Sequence, residues 1–90
     1  MAIILICSDK RNSEKIRYKN RNKHLEYLKK FESSLLLAGP ILSQEGMPIG
    51  SLIVLDFNEN ELANDFIKND PYNLAGLFEN ISIKKFKKVF

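Results

Sequence analysis

The alternation of apolar and polar positions predicts four strands. Residues 2–7 form an unbroken aliphatic run that ends at a turn-forming Ser-Asp pair, as in a strand that is apolar on both faces. The second apolar segment, 35–42, contains Pro40, which has no amide donor and therefore predicts an edge position or a bulge. Residues 50–57 predict a third strand. Residues 79–87 predict a fourth, with room for a register change at its paired lysines.

Segments with a helical period lie between these strands. The first helix is capped by Asn12 or Ser13 and runs to about residue 33, with a break expected near residues 20–22. Three apolar residues are expected to form its buried side: Leu25, Leu28 and Phe31.

A second helix is expected after the third strand, with Asn58 as its cap. Leu62 and Phe66 are expected to face inward from it, and Ala63 and Ile67 are further candidates for that side. Pro71 suits the first position of a new short helix over residues 73–78, for which Asp70 would be the N-cap.

The resulting order of strand, helix, strand, strand, helix, strand is the split βαβ arrangement of ferredoxin-like folds. We therefore predict a single α+β domain over residues 1–90, with a four-stranded antiparallel sheet and the helices on one face. The first and third strands carry apolar side chains on both faces, which would leave one apolar sheet face uncovered. We expect a homodimer that buries this open face. The alternative is a monomer with a partly apolar, hydrated sheet.

Composition narrows the location and the partners. The chain has 90 residues, is 44% hydrophobic and carries a net charge of +3, with basic residues concentrated in segment 10–30. We interpret that segment as a solvated helix face rather than a nucleic-acid site, because no cluster of aromatic residues offers a platform for base stacking. No apolar run reaches the length of about 20 residues that a membrane span needs. The single cysteine, Cys7, is expected to pack in the core of a cytoplasmic protein, and a nucleophilic Cys7 is the alternative.

His24 is the only histidine, so it is the one side chain whose ordinary titration range lies near neutral pH. On a helix it shares one side with Leu28 and Phe31, at i, i+4 and i+7, which places it at the edge of the buried stripe. The two interpretations are an acid–base residue and a half-buried structural histidine. A metal site is not expected, because one histidine and one cysteine provide too few ligands of those kinds.

The chain resembles the YciI-like (YCII-related) family of small α+β proteins nearly from end to end. The matching segments are the strand that leads into Ser8-Asp9-Lys10, Arg21 to Leu28, Leu37 to Pro40, Gly50-Ser51, Asn69 to Tyr72 followed by Ala75 to Glu79, and the terminal Lys84 to Phe90. The resemblance implies a ferredoxin-like protomer paired into a dimeric α+β barrel. This chain has Asn22 where the family commonly has proline, which would alter the start of the helix rather than the chemistry.

The resemblance also implies a catalytic His–Asp pair, which falls on His24 and Asp70. The residues expected to line a substrate pocket are Arg21, Gly39, Pro40, Ser51 and Tyr72. A carboxylate bonded to one imidazole nitrogen would fix the ring tautomer and leave the other nitrogen as a base.

We therefore expect general acid–base chemistry of a lyase or isomerase type on a small aromatic or carboxylate-bearing molecule, without a cofactor. A non-catalytic dimeric ligand-binding or accessory module is the alternative. A nucleophilic triad of Ser51, His24 and Asp70 has the right residue types but lacks the glycine-flanked turn that usually presents such a serine.

Overall fold

Four antiparallel strands form a single sheet in the computed structural model, which describes residues 1–90. The strands are β1 (Ala2–Asp9), β2 (Leu35–Leu42), β3 (Pro48–Leu55) and β4 (Phe78–Phe86). Their order across the sheet is β2-β3-β1-β4, with every neighbouring pair antiparallel. The predicted ferredoxin-like α+β fold is thus confirmed. β2 is an edge strand, which is the position that Pro40 requires.

Three helices connect the strands: α1 (Glu14–Lys30), α2 (Asn60–Lys68) and α3 (Pro71–Leu74), with a short 3₁₀ turn at Glu32–Ser34. The predicted break in α1 near residues 20–22 is wrong, because the helix is continuous. The side-chain amide of Asn20 donates to the Ile16 carbonyl at 2.9 Å, so this polar group is satisfied within the helix itself. None of the helices combines the length and the apolar character that crossing a bilayer requires.

Helix ends differ from the prediction by a few residues. Ser13 precedes α1 as expected, but its hydroxyl donates to the Lys10 carbonyl and caps no helix amide. The cap position of α2 is occupied by Glu59 and not by Asn58. Asp70 caps α3 as predicted, and α3 is already over at Leu74, two residues before Gly76 adopts a positive φ of 77°.

The core lies between the sheet and the helices. β1 contributes Ile3, Leu5 and Cys7, all 0–1% exposed, and Phe66 of α2 packs into the same cluster. The predictions that Leu25 and Leu62 are buried are wrong, since they are 43% and 48% exposed. Leu28 of α1 and Phe66 of α2 are buried as predicted, and the rest of the inward side is taken by His24 in α1 and by Ala63 and Ile67 in α2.

The opposite sheet face carries apolar side chains that no helix covers. On β1, Ile4 and Ile6 point away from the core, and across the ladder they pair with Val54 and Leu52 of β3. Ile6 is 38% exposed, and Leu37, which pairs with Val54 from the edge strand, is 56% exposed. The ladder between β1 and β4 runs in register through both Lys84 and Lys85, so the register change predicted there is wrong. The irregularity lies between Ser8 and Asp9.

Candidate active-site cleft

A cleft of about 540 Å³ opens between α1 and the half of the sheet formed by β2 and β3. One side of α1 faces it, because Arg17, Arg21, His24 and Leu28 follow one another at helical spacings of four, three and four residues. The volume lies within the range of pockets that hold small molecules. All of the predicted pocket residues line it: Arg21, Gly39, Pro40, Ser51 and Tyr72.

His24 and Asp70 form a buried pair at the back of the cleft. Nδ1 of His24 lies 2.9 Å from Oδ1 of Asp70, and the side chains are 9% and 0% exposed. An ionised carboxylate can only accept, so Nδ1 carries the hydrogen when Asp70 is charged. Nε2 then has a free lone pair. It has no protein partner, and it is not sealed from solvent, because the only buried side-chain polar atom without a partner is Oδ2 of Asp70.

Asp70 is fixed in place by the start of α3. Pro71 at the first helical position sets the backbone, and Asp70 keeps an extended conformation as the N-cap. Its Oδ1 also accepts from the Tyr72 amide at 2.8 Å. The same oxygen therefore receives the helix amide and the imidazole, which ties the position of His24 on α1 to the turn before α3.

The ring of Tyr72 packs against the imidazole of His24. The two rings are stacked, with centroids 3.9 Å apart and planes 15° from parallel. Burial raises the pKa of Tyr72 above its usual value, so the phenol keeps its proton at neutral pH.

Arg17 connects three parts of the site. Its Nε and Nη2 donate to the two carboxylate oxygens of Asp9 at 2.7 and 3.0 Å. Nη2 also donates to the Gly50 carbonyl and to the Ser51 hydroxyl oxygen, each at 2.9 Å. The guanidinium carbon lies 4.7 Å from the centroid of the Tyr72 ring. Burial alone would lower the pKa of Arg17, but the bonds and the charge of Asp9 outweigh it, and the pKa is raised.

The hydroxyl of Ser51 accepts from Arg17 and keeps its own hydrogen available for the cleft. No hydrogen bond joins Ser51 to His24, so the nucleophilic triad considered from the sequence is not assembled.

Cys7 is buried in the core, and burial together with the negative charge of Asp70 raises its pKa to about 12, which opposes a nucleophilic role. No group of three or more His, Cys, Asp or Glu side chains is gathered where it could hold a metal ion.

Sequence reasoning missed Arg17 and Asp9. Arg17 belongs to the basic segment that is predicted to form a solvated helix face, and Asp9 follows the first apolar run as a turn-forming residue. Both are in fact poorly accessible, with side chains 11% and 8% exposed. The spacing of Arg17, Arg21 and His24 along one side of a helix was the available signal, but a break expected at residues 20–22 would have disrupted that alignment.

A family model for the YCII-related domain matches residues 1–87. The chain belongs to the YCII-related family. Protein YciI of Escherichia coli O6:H1 is 34% identical over an alignment of 98 positions that spans the whole of both chains. A protein of Haemophilus influenzae is 33% identical over the same span. The resemblance stated from the sequence motifs is therefore confirmed.

Solved structures confirm the fold. The 5-chloro-2-hydroxyhydroquinone dehydrochlorinase TftG from Burkholderia phenoliruptrix, in complex with 2,5-dihydroxybenzoquinone, superposes with a TM-score of 0.90 at 26% identity. The match covers 97% of this chain and 94% of that one. A protein described as an antibiotic biosynthesis monooxygenase matches with a TM-score of 0.58 at 10% identity, which reflects the shared fold alone. The protomer has the fold expected of the dimeric α+β barrel proteins.

Proposed function

We propose that this protein is a small-molecule enzyme in which His24 transfers protons with the support of Asp70. The observation that carries the proposal is the buried Nδ1–Oδ1 contact of 2.9 Å, which leaves Nε2 without a protein partner on a side chain that lines a cleft of molecular size. A positioned histidine base typically contributes about 100-fold or more to a rate. The chemistry is of a lyase or isomerase type, since the site provides a base and hydrogen-bond donors and no assembled nucleophile.

The roles follow from the geometry. Nε2 of His24 takes a proton from a hydroxyl or an acidic C–H of the substrate, and the imidazolium that forms is stabilised by Asp70. The electron pair left on the substrate is stabilised by donors at the cleft wall, among them the Ser51 hydroxyl. The same imidazolium then returns the proton to a carbon atom or to a leaving group.

The substrate class is proposed from the similarity to the dehydrochlorinase, which was solved with 2,5-dihydroxybenzoquinone. A compact hydroxylated ring fits the cleft because much of the wall is apolar, with Leu28, Pro40 and Met47 among the lining residues. The ring of Tyr72 adds an aromatic surface beside His24.

The test is chloride release from 5-chloro-2-hydroxyhydroquinone, the substrate in the name of the similar enzyme. We expect wild type to release chloride and His24→Gln to be slower by about 100-fold. Lys23→Met is the matched control, since Lys23 is an exposed neighbour on α1 that does not line the cleft. An equal rise in melting temperature with 2,5-dihydroxybenzoquinone in wild type and His24→Gln, with no chloride released by either, would support the non-catalytic binding module instead.

We also propose that two copies pair through the open sheet face. The face is apolar over both central strands, through Ile4, Ile6, Leu52 and Val54, and the edge residue Leu37 extends it. A second copy presents the same surface, as two-fold symmetry requires. Residues 87–90 continue beyond β4 with Val89 and Phe90 almost fully exposed, and we propose that they reach the partner. The single buried thiol is in keeping with a reducing, cytoplasmic location.

A further inference from the structure

Arg17 has one nitrogen, Nη1, that is not held by Asp9, Gly50 or Ser51. Nε and Nη2 are engaged by Asp9, Gly50 and Ser51, and the side chain of Tyr72 is the one further protein group that contributes to the raised pKa of Arg17. Nη1 is nevertheless accessible, because Oδ2 of Asp70 is the only side-chain polar atom that is both buried and unpartnered. Arg17 lines the cleft. Since Nε and Nη2 are fixed by the protein, Nη1 is the nitrogen of Arg17 that a ligand in the cleft can contact.

Arg21 provides a second donor one turn further along α1. It lines the cleft, and it makes no hydrogen bond or ion pair with the protein. Its positive charge lies close enough to Tyr72 to oppose the rise in the pKa of that phenol. The charge of Arg17 is largely offset by Asp9, so Arg21 is the cationic side chain of the cleft that lacks a partner. Glu14 is the one carboxylate that lines the cleft, and it is exposed and lies one turn before Arg17.

We propose that Arg17 and Arg21 together bind an anionic oxygen of the substrate and thereby determine its specificity. The inference rests on the proposed function of the cleft and deepens it by naming the substrate class. That class is a compact, mostly apolar molecule with one negatively charged oxygen, whether of a carboxylate, an enolate or a phenolate. Guanidinium groups suit such oxygens because their planar N–H donors match the geometry of the lone pairs.

The two arginines have different parts in this binding. Arg17 is held by the bidentate contact with Asp9, so its free nitrogen is oriented before a ligand arrives and little side-chain freedom is lost on binding. Arg21 is exposed and no protein contact fixes its guanidinium, so it is free to adjust to the ligand. The anionic oxygen would then lie near Ser51, whose hydroxyl Arg17 contacts, in the same cleft that His24 lines.

The experiment is an amide NMR titration of the uniformly labelled protein with benzoate and with benzamide, which is planar, similar in size and neutral. We expect benzoate to shift residues around the cleft and to bind more tightly than benzamide. Arg21→Met should weaken benzoate by about tenfold, the order expected for one charged hydrogen bond, and leave benzamide unchanged. Lys23→Met is the control of equal charge change and should have no effect. Para-nitrophenolate, studied above its own pKa, tests whether a phenolate is preferred to a carboxylate.

The same titrations are made with Arg17→Lys and Arg17→Met if these variants fold. If they do not fold, Arg21→Met alone decides the proposal. Equal shifts for benzoate and benzamide, no shift for either, or equal weakening by Lys23→Met and Arg21→Met would overturn the proposal. The measurement separates this proposal from the catalytic one. Preference for benzoate that survives in His24→Gln supports anion binding even where His24→Gln releases chloride as fast as wild type.

Discussion

Replacement of Arg17 by methionine tests how the cleft is held together. The substitution keeps most of the apolar stem and removes four hydrogen bonds, two to Asp9 and one each to Gly50 and Ser51. It also leaves the Asp9 carboxylate, whose side chain is 8% exposed, without a cation. Loss of one member of a buried ion pair costs about 3–5 kcal/mol. A domain of this size has a total stability of about 5–13 kcal/mol, so a large share of it should be lost.

The assay is urea denaturation followed by far-UV circular dichroism, at neutral pH and at the same protein concentration for every variant. Arg21→Met is the control on the same helix side, and since Arg21 is exposed and unpaired it should change the free energy of unfolding by no more than about 0.5 kcal/mol. The double variant Asp9→Leu with Arg17→Met removes both charges and should be more stable than Arg17→Met alone. A loss below about 1 kcal/mol for Arg17→Met would refute the reasoning, because that is the value of a solvent-screened pair.

Three further predictions concern the sheet and the core. Ile6→Lys should give a folded monomer by light scattering. Leu74→Lys also changes an exposed aliphatic residue, but one in α3 and away from the sheet, and should leave a dimer. A dimer in both would contradict the proposed interface. Cys7 has a pKa raised to about 12, so thiolate should not form as the pH rises through the usual thiol range, and a thiol reagent should label it only after unfolding. Rapid labelling of the native protein would contradict this. Gly50→Ala should lower the melting temperature, because the new Cβ would collide with the Cys7 carbonyl; an unchanged melting temperature would be inconsistent with that contact.

The fold was largely predictable because the strands are short apolar runs with clear breaks. Pro40 indicated an edge strand, and β2 is at the edge of the sheet. Asp70 before Pro71 indicated a helix cap, and the cap is present, because the Asp70 side chain accepts a hydrogen bond from the Tyr72 backbone amide. The errors concern positions at which rotation about a helix axis decides burial. Leu25 and Leu62 are apolar but lie beside the buried stripe, and local composition does not fix that rotation to within one residue.

The site was predictable only in part. The pairing of His24 with Asp70 came from the resemblance to the family, because 46 residues separate them and no local pattern links them. The stacking of Tyr72 on His24 depends on the packing of α3 against α1, which the sequence alone does not specify. Arg17 was indistinguishable from its basic neighbours Lys15 and Lys19 until the tertiary structure placed Asp9 beside it.

The most direct test of the central claim is the tautomer of the imidazole, read from the two ring-nitrogen shifts of the only histidine at a pH where the ring is neutral. If Asp70 accepts from Nδ1, the hydrogen is on Nδ1 and Nε2 is the free base in wild type. In Asp70→Ala that constraint is lost and the hydrogen should move toward Nε2. A hydrogen on Nε2 in wild type, or identical ring-nitrogen shifts in the two proteins, would contradict a His24–Asp70 acid–base pair.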